Sequence, residues 1–127
     1  MEPFKPVLVV DDDSNTRLTM QALLEAEDYE VACAADGQEA LDYLNRVGLP
    51  ALILLDLAMP VLNGYQFRER QLRNPPWAAV PVILISGDRD LARIAAALGV
   101  EAHFRKPVEM GEMLDAVRVL AANTVPA

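Results

Sequence analysis

Three short runs of this chain are apolar almost without interruption, and each stops abruptly on a polar residue. They are PVLVV at 6–10, followed by Asp11, Asp12 and Asp13; ALILL at 51–55, followed by Asp56; and VPVILI at 80–85, followed by Ser86. A half-exposed strand alternates polar and apolar residues. A run apolar throughout is buried on both faces, as in a parallel sheet covered by helices. The middle run raises a further question, because it ends on a carboxylate. Burying an unpaired charge is costly unless a cation, a proton or a metal compensates it.

The segments between these runs read as helices. From Ser14 to about Glu27, Leu18, Met20, Leu23 and Leu24 recur at partly helical spacing, with Asp13 or Ser14 available as N-cap. YEVACAADG reads as a second strand closed by an Asp-Gly turn. QEALDYLNRVG then reads as a helix with Ala40, Leu41, Leu44 and Val47 on one side and Gly48 at its end. NGYQFRERQLRN gives a shorter helix broken by Pro75 and Pro76, and DRDLARIAAALG another that stops at Gly99. EAHFRKP is a fifth strand, and Met110, Met113, Leu114, Val117 and Leu120 mark a last amphipathic helix. Five β/α units in strict alternation predict an open, doubly wound α/β sheet of five strands flanked by five helices.

A chain of 127 residues, 53% hydrophobic and 24% charged, is the size and composition of one globular domain. The expected core runs from about residue 6 to 121, with 122–127 as a tail or the start of a linker. A net charge of −8 argues against a nucleic-acid face, which needs clustered Lys and Arg. The single cysteine, Cys33, rules out an internal disulfide and suits a reducing compartment. No run reaches membrane-spanning length, and MEPFKP lacks the regions of a signal peptide, so a cytoplasmic location without membrane contact is expected.

In a sheet of this kind, ligands bind outside the carboxyl ends of the strands. The residues that follow the apolar runs are Asp11 and Asp12, then Asp56, then Ser86, and Lys106 follows the fifth strand. Three carboxylates, a hydroxyl and an ammonium therefore converge on one edge. Carboxylates so close must be protonated or neutralised by a cation. The donors are all oxygens, with no His or Cys in the pattern, which favours Mg²⁺. A carboxylate beside a metal can accept a phosphoryl group, with Ser86 donating a hydrogen bond to it and Lys106 neutralising one of its oxygens.

VLVVDDD, LILLDLAMPVLNG, VPVILISG and FRKPV, in this order, resemble the receiver domain of two-component response regulators over about residues 6–121. The resemblance implies a flavodoxin-like sheet with strand order 2-1-3-4-5. It implies that Asp56 is the phospho-acceptor and takes its phosphoryl group from a sensor histidine kinase or phosphotransfer protein. Asp11 and Asp12 match the acidic pair that holds Mg²⁺, Asp12 directly and Asp11 partly through water. Ala58 would lend its backbone carbonyl to the metal. Ser86 and Lys106 match the hydroxyl and the lysine that follow the phosphoryl group, and the Lys106–Pro107 bond is expected to be cis. The family often carries an aromatic switch residue three positions before the lysine; here that position is His103, a more polar ring. Readout to an effector protein or output domain would use the fourth helix, fifth strand and fifth helix, about residues 89–121, in a monomer or a phosphorylation-dependent dimer.

Plainer roles stand beside these. Asp13 suits a helix N-cap, Ser86 alone a turn, and Lys106 alone a solvated lysine. His103 suits a packed or partly exposed strand position, Cys33 a small buried apolar residue, and Arg68, Arg70 and Arg73 a solvated helix face. Two other functions fit less well. An aspartyl-phosphate phosphohydrolase wants a second Asp two residues after the nucleophile, where this chain has Ala58. A flavin or nucleotide site wants a Gly-rich phosphate loop, and the six glycines are scattered.

Overall fold

The computed structural model describes residues 5–121, and the expected tail at 122–127 lies outside the described residues. Five strands form one sheet: β1 (Val7–Val10), β2 (Val31–Ala34), β3 (Leu52–Asp56), β4 (Val82–Ser86) and β5 (Ala102–Arg105). All pairings are parallel, and the order is β2-β1-β3-β4-β5. The helices are α1 (Ser14–Ala26), α2 (Gly37–Arg46), α3 (Gly64–Leu72), α4 (Pro75–Ala78), α5 (Leu91–Leu98) and α6 (Met110–Ala121).

The three apolar runs are the three interior strands, and every residue of β1, β3 and β4 is buried. Side chains alternate across a strand, so each run supplies two cores. Leu8, Val10, Ile53, Leu55, Val82 and Leu84 pack with α2, α3 and α5 on one face. Val7, Val9, Leu52, Leu54, Ile83 and Ile85 pack with Met20 and Leu24 of α1 and Met113 and Val117 of α6 on the other. β2 and β5 are the edges and are only partly buried.

Some sequence expectations change. There are six helices among the described residues rather than five, because Pro75 and Pro76 start a helical turn instead of ending one. Proline lacks only an N–H that the first turn leaves unpaired, and Asn74 caps the turn through Trp77 N at 3.4 Å. The fourth and fifth helices of the expected readout face correspond to α5 and α6. Asp36 and Gly37 do not form a separate turn; Asp36 is the N-cap of α2 and accepts from Glu39 N at 2.9 Å. Leu18, placed on the apolar stripe of α1 by spacing, is 65% exposed. Cys33 is exposed because it lies on edge strand β2. Arg68 is the largest departure: it is 4% exposed, inside the molecule rather than on a solvated face.

Candidate functional site

The first strand ends where α1 begins, and the three aspartates between them divide the work. Asp13 is the N-cap, its Oδ1 accepting from Asn15 N at 2.8 Å and Thr16 N at 3.3 Å. Asp11 is buried, and its Oδ1 accepts from Asp13 N at 2.9 Å, which leaves Oδ2 turned to Lys106. Asp12 is exposed. Arg17, one turn into α1, donates to the backbone carbonyl of Asp11 at 2.8 Å and ties the loop to the helix.

Asp56 is the last residue of β3 and is 7% exposed. Its Oδ1 accepts from Leu57 N at 2.8 Å, and its Oδ2 lies 3.5 Å from Lys106 Nζ. The same ammonium lies 3.1 Å from Asp11 Oδ2. Asp11, Asp12 and Asp56 each offer a carboxylate oxygen, all within 4.8 Å of one another. Lys106 follows β5 and is placed by its N–H, which donates to Ser86 O at 2.9 Å; its bond to Pro107 is cis. Ser86 closes β4 and is buried, with its Oγ accepting from Asp88 N at 3.1 Å. Asp56, Ala58, Ser86 and Lys106 line one open cavity of about 630 Å³.

The loop that leaves Asp56 is held tightly. Gly64 N donates to Leu57 O at 2.9 Å, and a Cβ at Gly64 would run into the carbonyl oxygen of Asp56. Asn63 and Gln66 form a reciprocal capping box at the start of α3, each bond 2.9 Å. The N-x-x-Q spacing is the sequence signal of this cap. Arg17 left no periodic signal at all, since a polar residue on a helix normally faces solvent.

Burial and the neighbouring Asp11 carboxylate push the Asp56 carboxyl above the ordinary range, against the pull of Lys106 and the Leu57 N–H. Burial alone would lower Lys106. Its hydrogen bond to Asp11 and the charge of Asp56 outweigh that, so it is held above its usual value and stays an ammonium. One ammonium thus faces three carboxylates, an imbalance a divalent cation would correct. An ionised carboxylate of raised basicity is also a better nucleophile.

The sequence-predicted residues come together with one exception. His103 is an exposed residue of β5, in register with Leu84, and lies away from the cavity lining. Although Cys33 is exposed, partial desolvation of its sulfur pushes the thiol up, with Sγ 3.9 Å from Gln21 Oε1. Among the described residues no helix is long and apolar enough to cross a membrane.

Fold and site together define an α/β protein with an acidic centre at the carboxyl edge of a parallel sheet. The response regulator receiver domain family matches residues 7–118, and this chain belongs to that family, whose members are phospho-accepting switches in phosphorelay signalling. Response regulator Rre1 of Synechocystis is 35% identical over 92% of this chain, which spans 52% of that protein. Sporulation initiation phosphotransferase F of Bacillus subtilis is 30% identical over 88% of this chain and 90% of its own length. The receiver domain of the Francisella response regulator 1452 superposes with a TM-score of 0.84 at 27% identity, covering 94% of this chain and 98% of that one.

Proposed function

We propose that this chain is a single receiver domain, with its core at about residues 6–121, that switches when Asp56 accepts a phosphoryl group in a Mg²⁺-dependent step. The observation that carries this reading is the acidic trio within 4.8 Å beside Lys106, at the mouth of an open cavity. An Asp56 carboxylate oxygen attacks phosphorus, the P–N bond of a phosphohistidine breaks, and the departing imidazole keeps the electron pair and takes up a proton. Asp11, Asp12, Asp56 and the Ala58 carbonyl are the groups that would hold the metal. Bound there, Mg²⁺ supplies the positive charge that three carboxylates and one lysine lack.

Lys106 meets the new negative charge as an ion pair, close enough to Asp56 to change partners from Asp11. The Ser86 hydroxyl accepts from Asp88 N, which leaves its own O–H free to donate to a phosphoryl oxygen. The donor in this reading is a sensor histidine kinase or phosphotransfer protein in the cytoplasm. The output is altered binding of an effector protein or output domain on α5, β5 and α6, by a monomer or a phosphorylation-dependent dimer. His103, at the family's switch position, is a solvent-facing ring on that surface.

Intact mass after incubation with acetyl phosphate tests this. One added phosphoryl group is expected with Mg²⁺ present, and none with a chelator or in Asp56→Asn. An adduct that survives in Asp56→Asn, or forms equally well in chelator, overturns the assignment. Failure of the wild-type protein to bind either acetyl phosphate or beryllofluoride overturns the switch itself.

A further inference from the structure

α5 is fastened very differently at its two ends. Its carboxyl end is held by Arg68 of α3, whose Nε donates to Leu98 O at 3.0 Å and whose Nη2 donates to Gly99 O at 2.9 Å. These carbonyls close the helix, where acceptors have no partner within the helix itself. The third donor, Nη1, is bonded to Gln71 Oε1 at 2.8 Å. Gln71 is fully buried, and its Nε2 donates to Trp77 O at 2.9 Å and Val80 O at 3.1 Å. Five hydrogen bonds thus join the end of α5 to α3, α4 and the approach to β4. The planar guanidinium fork suits this task because one rigid group meets two adjacent carbonyls.

Among the described residues no side chain of another helix bonds the amino end; its hydrogen bonds are local, from Asp88 N to Ser86 Oγ at 3.1 Å and from Asp90 N to Asp88 Oδ1 at 2.8 Å. Its N-cap, Asp90, makes no side-chain cap hydrogen bond, and Gly87 to Asp90 are all exposed. The ion pair from Arg93 to Asp90 is itself solvent-exposed. Leu91 N donates to Asp88 O at 3.3 Å, and the Leu91 side chain rests in the core. This loose end follows Ser86 directly, with four residues between the hydroxyl and the helix.

We propose that α5 works as a lever hinged at its carboxyl end, with Arg68 as the positioning residue that fixes the hinge. This rests on the phosphoryl-switch reading, in which Ser86 is drawn toward the group on Asp56. The displacement enters at Gly87–Asp90 and dies away toward Gly99. The output side of the domain thereby turns about a fixed point rather than sliding as a whole.

The test is backbone amide NMR and hydrogen exchange on the whole chain, with and without Mg²⁺ and beryllofluoride. In the wild-type protein the added group is expected to shift Gly87 to Arg93 strongly and Leu98 to Val100 several-fold less. Arg68→Met is expected to flatten that gradient, so that Leu98 to Val100 shift as much as Leu91. The same variant loses about tenfold or more of the exchange protection at Gly99 N and Val100 N before any ligand is added. Arg68→Lys, which keeps the charge but not the fork, restores the gradient in part and serves if the methionine variant does not fold. A uniform shift along α5 in the wild-type protein, or an unchanged gradient in both variants, overturns the lever while leaving Asp56 as acceptor. No response at Leu57 and Ser86 overturns the switch reading and the lever with it.

Discussion

Replacing Asp56 by Asn is expected to stabilise the metal-free protein. The three carboxylates offer oxygens within 4.8 Å of one another. At that separation and an effective dielectric near 20, Asp11 costs Asp56 about 3.5 kcal/mol, and the exposed Asp12 costs it less because solvent screens it. Lys106, 3.5 Å away, returns about 4.7 kcal/mol on the same scale. With Asp12 screened, the repulsions roughly offset the attraction, and burial of the Asp56 carboxylate tips the balance against its charge. Asp12 is exposed and the Lys106 side chain is 34% exposed, so solvent screening brings the expected gain to about 1–2 kcal/mol. Asparagine keeps the shape and an acceptor for Leu57 N, so little is lost in exchange.

Urea denaturation at pH 7 in chelator measures this, with the Asp56→Asn midpoint expected about 0.5–1 M above wild type. The pH dependence has a definite sign. Burial and Asp11 raise the native carboxyl above its ordinary value of 3.8, so the native protein binds this proton more readily than the unfolded chain. The penalty in the wild-type protein is full above the raised native value. It shrinks as pH falls through that window and is gone below the ordinary one. The advantage of the variant must follow the same course. Mg²⁺ should also close the gap, since a ligand that binds the native state stabilises the protein that retains the full donor set. A variant less stable than wild type at pH 7, or an advantage that persists below the ordinary carboxylate range, would refute the reasoning.

Three further outcomes are expected. Val61 holds φ at 67° while its side chain is 79% exposed, so the left-handed strain has no packing to offset it. Relief of about 1–2 kcal/mol of strain, less the larger unfolded-state freedom of glycine, makes Val61→Gly stabilising by about 0.5–1 kcal/mol in denaturant titration. Gly64→Ala forces a Cβ onto the Asp56 carbonyl oxygen and to 2.8 Å from Leu57 Cα, and should cost more than about 2 kcal/mol by the same measurement. Although Cys33 is exposed, partial desolvation of its sulfur raises the thiol, so iodoacetamide at pH 7 should modify the folded protein more slowly than the chain in urea; equal rates would contradict it.

How much of this could be read from the chain depends on which residues repeat. The interior strands were legible because β1, β3 and β4 are apolar at every position, and the site was legible because its residues stand directly after them. Arg68 was not legible. It shares the buried face of α3 with Phe67 and Gln71, yet a polar residue is read as solvent-facing unless its partners are known. Those partners are carbonyls about thirty residues away, which carry no side-chain signature. Cys33 failed for the converse reason. Its neighbours are apolar, but β2 is an edge, and only the strand order reveals that. Pro75 and Pro76 are ambiguous in sequence because proline stops a helix from within and starts one from outside, and position decides which.

The denaturation and mass experiments probe one electrostatic imbalance. Asp11, Asp12, Asp56 and Lys106 together carry a charge of −2 before any phosphoryl group arrives. A phosphorylated side chain brings about −1.5 to −2 in place of the single carboxylate charge of Asp56. Lys106 cannot answer that and still pair with Asp11, since one ammonium already spans both at 3.1 and 3.5 Å. Phosphorylation without a divalent cation would therefore deepen a repulsion the unmodified site already carries, whereas a divalent cation cancels the initial −2. The charge count that predicts a more stable Asp56→Asn is thus the same one that would make acceptance of a phosphoryl group depend on the metal. If Asp56→Asn brought no stability, the predicted need for Mg²⁺ would lose its electrostatic basis.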